Sequence, residues 1–338
     1  MKNIYNLLDS KKFVDHVMNR PQRNYLGAAI FPSEPTDSLR FEYLKGANAN
    51  PVMGNVIAWG KEAPIRGRDN MATISGKINA IKLKMNLGEE NMIKLFESRN
   101  SGSNIPQSVI KKYFDDVIYT YDGVENKIEY LRMQALCKGI LDYTNDGYQI
   151  TVDYLMPTEN KPTVSTLWSD ETNSNPEADI FTWMTMIKEN GGLAPTKAIT
   201  STKVLNHILN NANLRKAILG VNSDRLLTQK DLNAYFGSKG YPQVTTYDLR
   251  ARDLDGNVKR FFDEDKFVIL PGNGQAGKTL VAPTAESLST TMKKVKTLKG
   301  ITVTQWETND PVDLWTKAAG AQIVTMPYAE QQVSATVI

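Results

Sequence analysis

Between residues 105 and 141, Ile110, Phe114, Val117, Ile118, Tyr121, Ile128, Leu131 and Ala135 recur at steps of three and four. That is the spacing of one helix face. Pro106 suits a first turn, where its missing N–H is not needed. Gly123 interrupts the run and predicts a bend. At ~1.5 Å per residue such a helix runs about 50 Å, a spine rather than a packing filler. A shorter stripe, Ile4, Leu7, Leu8, Phe13, Val14 and Val17, predicts an amphipathic helix over 4–19 that Pro21 ends.

The period changes over residues 41–87. Val52 to Trp59 and Met71 to Leu87 both read as strands, with a charged tip between them. On the returning strand Ala72, Ile74, Ile78 and Ala80 share one face, and then the apolar phase slips to Ile81, Leu83, Met85 and Leu87. Side chains alternate along a strand, so the slip means that the buried face changes, through a bulge. A strand of about 15 residues spans about 50 Å, more than a compact domain needs. A two-stranded ribbon is marginal alone in water, so this one is expected to lie on a neighbouring subunit.

After Asn145-Asp146-Gly147, Tyr148 to Tyr154 alternates as a strand. Residues 157–176 are rich in Pro, Thr, Ser and Asn and predict a linker or exposed loop. A mixed segment follows. Pro176 opens a helix that stops at Gly191-Gly192, Ala198 to Thr200 is a strand, and Ser201 caps a helix over 204–208. Further helices are predicted at 213–219 and 228–236. Val244 to Tyr247 is expected to pair with Val258 to Phe261 across the Asp255-Gly256 turn. Phe267 to Leu270 is a strand, and the tail from Gly300 to Ile338 is strand-rich, broken at Pro311 and Pro327.

Composition narrows the chemistry. Forty basic against 37 acidic residues leave a net charge of +3, and no basic block resembles a groove that grips nucleic acid. Cys137 is the single cysteine, so no internal disulfide forms, which fits a reducing compartment. Neither a signal peptide's apolar core nor a membrane-length apolar run is visible, and the reading is a soluble protein made in a cytosol. His16 and His207 stand alone and assemble no zinc site. A calcium loop centred on Gly256 would put Ala251 and Phe262 at ligand positions, and neither supplies a side-chain oxygen. No cofactor, metal or catalytic group is assigned.

Gly272 to Thr279 (GNGQAGKT) satisfies the P-loop pattern and follows a strand. A P-loop needs a helix directly after its lysine. Here Leu280-Val281-Ala282-Pro283 follows, β-like and closed by a proline that disfavours helix. No later strand ends in an acidic residue able to hold magnesium. The run therefore reads as a glycine-rich reversal between two strands.

The order of these parts resembles the tailed-phage major capsid protein with the Hong Kong 97 fold, most closely the lambda head-protein family. The local likeness lies in Pro176–Thr200 (PEADIFTWMTMIKENGGLAPTKAIT), Phe267–Glu286 (FVILPGNGQAGKTLVAPTAE) and the ending from Asp310-Pro311 to Ile338. The resemblance implies an α+β fold divided into an N-terminal arm (1–40), an extended hairpin (41–87), a peripheral domain with the spine helix (88–156), an axial domain (157–290) and return strands (291–338). It implies no enzyme. The expected role is a shell subunit that packs with itself as hexamers and pentamers into an icosahedral head around double-stranded DNA. DNA would be touched without sequence being read. Scaffolding, portal and cement proteins are expected partners, no membrane is involved, and assembly is expected in the host cytoplasm with the virion as final location. A separate scaffolding protein is expected because no long charged helical prefix precedes the arm. Lys61, Glu62, Arg66, Arg68 and Asp69 at the hairpin tip are the candidate inter-subunit contacts, and no crosslinking partner for Lys61 can be assigned. The alternatives are a P-loop NTPase using Gly272–Thr279 and an encapsulin-like nanocompartment shell.

Overall fold

The computed structural model describes residues 23–44, 56–60, 62, 72–101, 106–145, 148–221, 224–290 and 293–338. The helix expected over 4–19 lies outside them, as do residues 52–55 of the first expected ribbon strand. A short helix α1 (Gly27–Ile30) is followed by strands β1 (Ser33–Pro35) and β2 (Arg40–Leu44). The chain returns as β3 (Thr73–Lys77), antiparallel to β2, and continues as β4 (Ala80–Asn86).

The single long strand expected from Met71 to Leu87 is thus two strands, each in a different sheet. Ile74 and Ile78 are buried, then the inward set becomes Ile81, Leu83, Met85 and Leu87. The change of phase falls at Ile78-Asn79, where the chain leaves β2 and takes up new pairing. A change of sheet, rather than the expected bulge, produces the change of face, because the inward side of the backbone inverts between partners. The returning strand pairs with residues 40–44, and residues 56–60, which include the described part of the expected first strand, form no strand.

Helix α2 (Glu89–Asn100) precedes the spine helix α3 (Gln107–Lys138), 32 residues long. It continues as one helix through Gly123, where the sequence predicted a bend. A Cβ there would overlap the Leu83 side chain, so the glycine admits β4 against the helix rather than interrupting it. Gly139 ends the helix in the left-handed region, φ 66°. Ile140 and Leu141, read from sequence as helix, instead begin β5 (Ile140–Asn145), which pairs with β6 (Tyr148–Asp153).

The segment after it begins with a loop that is far from idle. Trp168 is fully buried there, stacked on Trp183 at 5.9 Å and edge-on to Phe267 at 5.2 Å, its indole N–H donating to Asp179. The following elements are α4 (Pro176–Glu189), β7 (Lys197–Thr200), α5 (Thr202–Asn210), α6 (Ala212–Leu219), α7 (Gln229–Lys239) and β8 (Gln243–Thr246). Their starts follow the side chains that satisfy free helix N–H groups. Asn175, Ser201 and Asn211 cap α4, α5 and α6, and Thr228 with Asp231 forms a reciprocal capping box on α7.

β8 does not pair across the Asp255-Gly256 turn. It lies parallel to β7, and the turn instead joins β9 (Arg250–Arg252) to β10 (Val258–Arg260). The turn chemistry was sound, but the parallel neighbour came from far along the chain, where no local signal reaches. The remaining elements are β11 (Lys266–Ile269), β12 (Lys278–Ala282), α8 (Ala285–Leu288), β13 (Lys293–Leu298), β14 (Ile301–Asn309), β15 (Val312–Thr325) and β16 (Val333–Thr336).

Two sheets organise the described residues. One has the order β16-β11-β7-β8 and is covered by apolar residues of α4, α5 and α7. The other has the order β1-β12-β15-β14-β13, with β4 also paired to β15. One face of it packs on α3 through Ile301, Val303, Leu314 and Ala318, against Val117, Tyr121 and Val124. No helix among the described residues is long and apolar enough to cross a membrane.

The second sheet is also pinned by charge. Glu286 of α8 is 2% exposed and accepts from Lys82 of β4 and Lys317 of β15, both at 2.8 Å. Burial would raise its pKa, but the hydrogen bonds from Lys317 and Lys82 outweigh that and hold it at about 2. A carboxyl depressed this far contributes stability that is complete above about pH 4.5 and disappears as pH falls towards 2, a term on the order of 3 kcal/mol. Acid titration of unfolding should show this limb in the wild type, and Glu286→Gln should lose it while unfolding more readily at neutral pH. Gly123→Leu should lower the thermal midpoint by forcing β4 off the spine helix, a cost of roughly 1–3 kcal/mol. A midpoint unchanged in calorimetry would contradict the close approach.

Candidate assembly surfaces

The glycine-rich run 272–279 lies between β11 and β12, and Lys278 already belongs to the second strand. Four of its amides are engaged within the chain. Gly274 N–H donates to Pro271 O at 2.7 Å, Gln275 N–H to Asn273 Oδ1 at 2.9 Å, Ala276 N–H to Ile30 O at 3.1 Å and Thr279 N–H to Pro32 O at 2.9 Å. A Cβ on Gly277 would run into the Thr325 carbonyl, and one on Gly272 into Leu193 and Ala194. The glycines therefore serve close packing of the chain on itself. Lys278, exposed, pairs with Glu34 at 2.5 Å. Thr279 is fully buried, its hydroxyl donating to Phe31 O and accepting from Arg132 Nε, both at 3.0 Å. A phosphate-binding loop turns its N–H groups to the anion and opens a helix after its lysine; here four of the N–H groups bond to the chain itself and a strand follows.

Arg132 leads to the most constrained polar cluster described. Glu129, three residues earlier on α3, is wholly buried. Its Oε1 accepts from Gly27 N–H at 2.9 Å and from the Tyr247 hydroxyl at 2.6 Å, and its Oε2 lies 3.6 Å from the Arg132 guanidinium. Burial pushes the Tyr247 phenol well up, reinforced by the Glu129 charge, so it remains a donor. Burial also lowers Arg132, against the pull of Glu129. Gly27 has no room for a side chain, since a Cβ would overlap the carboxylate. The N-terminal segment, the spine helix, the strand β12 and the loop after β8 meet at this Glu129–Arg132 pair. Sequence reasoning passed over it. The available signal was a Glu and an Arg within the apolar stripe of α3, next to Ile128 and Leu131.

The base of the ribbon, β2 paired with β3, is firmly rooted. Phe41, Ile74 and Ile78 are buried in the core shared with Leu136, Val152 and Tyr154. Phe41 stacks on Tyr43 at 6.2 Å, and the Tyr43 hydroxyl accepts from Met326 N–H at 3.2 Å. Burial pushes the Tyr43 phenol up to about 12, outweighing that bond. Farther out the apolar residues lose cover, and Val56 and Trp59 are fully exposed. Of the candidate contact residues only Glu62 is among the described ones, and it is exposed; Lys61, Arg66, Arg68 and Asp69 lie outside them. His207 sits at 2.9 Å from Glu171, and Cys137 is buried, which raises its thiol pKa. Among the described residues no cluster of His, Cys, Asp and Glu could hold a metal.

Comparison with known proteins agrees with this arrangement. The family model for phage major capsid protein E matches residues 16–337. No curated protein matches the chain. Among solved structures, a phage-related protein from Bordetella bronchiseptica RB50 superposes with a TM-score of 0.57 at 12% identity, covering 96% of this chain and 95% of the other. A protein assigned as a prophage capsid protein from E. coli CFT073 gives 0.55 at 14% identity over 79% and 80%. The capsid of cyanophage A-1(L) gives 0.54 at 9% identity over 95% and 94%. These likenesses establish the Hong Kong 97-type fold, and the family match covers nearly the whole chain. The chain belongs to the phage major capsid protein E family, and it is a structural protein that associates with itself to form the shell of a phage head rather than an enzyme.

Proposed function

We propose that this subunit packs as hexamers and pentamers of an icosahedral head around double-stranded DNA, and that residues 45–72 lie on an adjacent subunit. The observation that carries the second part is the contrast along the ribbon. Its root is buried in its own core, while Val56 and Trp59 farther out expose their whole side chains. Burying a large apolar side chain stabilises by roughly 1.5–3 kcal/mol, and repetition around a closed shell multiplies such modest contacts. Lys61, Glu62, Arg66, Arg68 and Asp69 would supply salt-sensitive contacts at the tip.

In this reading residues 88–156 and most of the return strands form the peripheral domain, and 157–290 the axial domain. Scaffolding, portal and cement proteins complete the assembly in the host cytoplasm, and the inner face touches DNA without reading its sequence. The near-balanced charge of +3 favours this role by limiting repulsion between packed copies.

Deleting 61–70 should leave the thermal midpoint nearly unchanged and abolish shells in negative-stain electron microscopy; a deletion that unfolds the subunit would place the tip in its own core. Isothermal titration with Mg-ATP should show no binding to the wild type, and Lys278→Ala should fold and assemble as before. Nucleotide binding lost on that substitution would restore the NTPase reading.

A further inference from the structure

The face of the second sheet turned away from the spine helix carries an unusual array. Ile301, Val303, Leu314 and Ala318 point to α3, and side chains alternate along each strand. Trp306 and Trp315, directly opposite each other, therefore lie on the other face, as do Lys317 and Lys84, also directly opposite. The indoles stack at 6.2 Å with their planes 10° apart. Lys84 Nζ lies 4.6 Å from the Trp315 ring centre and Lys317 Nζ 5.4 Å from that of Trp306. Like charges directly opposite in a sheet are destabilising. Glu286 answers Lys82 and Lys317, but Lys84 has no carboxylate partner among the described residues. The face keeps excess positive charge beside a partly exposed aromatic pair.

The complementary surface is on α2. Met92 and Leu95 are buried with α3, which puts α2 on the spine-helix side of the sheet. Its outer side exposes Ile93 (52%) and Phe96 (37%) with Glu89 and Glu97 around them. We propose that the tryptophan–lysine face of one subunit receives the outer side of α2 from a second copy, Ile93 and Phe96 covering the indoles and Glu97 meeting Lys84. Duplex DNA would answer the lysines but would leave the two apolar patches bare, whereas the acidic, apolar helix answers both. Because the two surfaces lie on opposite sides of the sheet, the contact joins unlike patches. Such heterologous contacts build rings and extended arrays, and the inference rests on the shell-forming reading.

Charge exchange tests it. Lys84→Glu and Glu97→Lys should each raise the concentration needed for self-association, read by light scattering, by about ten-fold. The double variant should recover to near the wild-type value, with thermal melts showing that all of them fold. Glu97→Lys lies on a solvent-facing helix side and leaves the sheet untouched. Zero-length carbodiimide coupling in mixed isotopically labelled assemblies should yield an inter-subunit Lys84–Glu97 peptide. Wild-type self-association with single variants that associate equally well, or a double variant without recovery, overturns the contact alone. Lys84→Glu that spares association but weakens binding to duplex DNA overturns it in favour of DNA. A wild type that stays monomeric at all concentrations overturns the shell reading with it.

Discussion

The carboxylate of Glu129 is the point on which the described structure converges. Four stretches of chain far apart in sequence meet it or its neighbour Arg132: the segment at Gly27, the spine helix, the loop at Tyr247 and the strand at Thr279. A buried ion pair adds little net stability, because desolvation offsets the attraction, but removing one partner costs roughly 3–5 kcal/mol. Its effect is selective. Only one register of the N-terminal segment against α3 lets a backbone N–H reach this carboxylate, and only glycine fits there. The elements around it are held in one mutual placement.

That placement separates what the subunit stabilises by itself from what it offers to others. The core clusters, the ribbon root and the Glu286–lysine bridge are internal. The outer ribbon, the outer side of α2 and the tryptophan face leave apolar surface uncovered beside charge. A shell protein needs both classes of surface, because its copies must fold before they meet and yet associate reversibly enough to correct errors. Fully apolar interfaces would bind too indiscriminately, and charges at their rims impose partner choice and orientation.

The glycine-rich run shows how one string of letters can serve a different geometry. Gly272, Gly277, Lys278 and Thr279 occupy the positions of a phosphate loop, yet the glycines relieve contacts with Leu193 and the Thr325 carbonyl, and the threonine is buried under Arg132. Pro283 was the informative residue. By excluding a helix after the lysine, it marks the run as a reversal between strands from sequence alone.

Local chemistry was legible from the residues alone. The spine helix, the cap at Ser201, the Asp-Gly turn and the slip of phase near Ile78 all depend on neighbours within a few positions, where propensity and periodicity act. Long-range pairing was not legible. Nothing near Val244 names β7 as its parallel partner, nothing near Thr73 names Arg40–Leu44, and Gly123 reads only as a bend until Leu83 is seen against it. Glu129 and Arg132 looked like two more charges on a helix. Their meaning required three other segments to arrive at the same place, and that arrival is decided by packing of the whole chain, which no short stretch of sequence encodes.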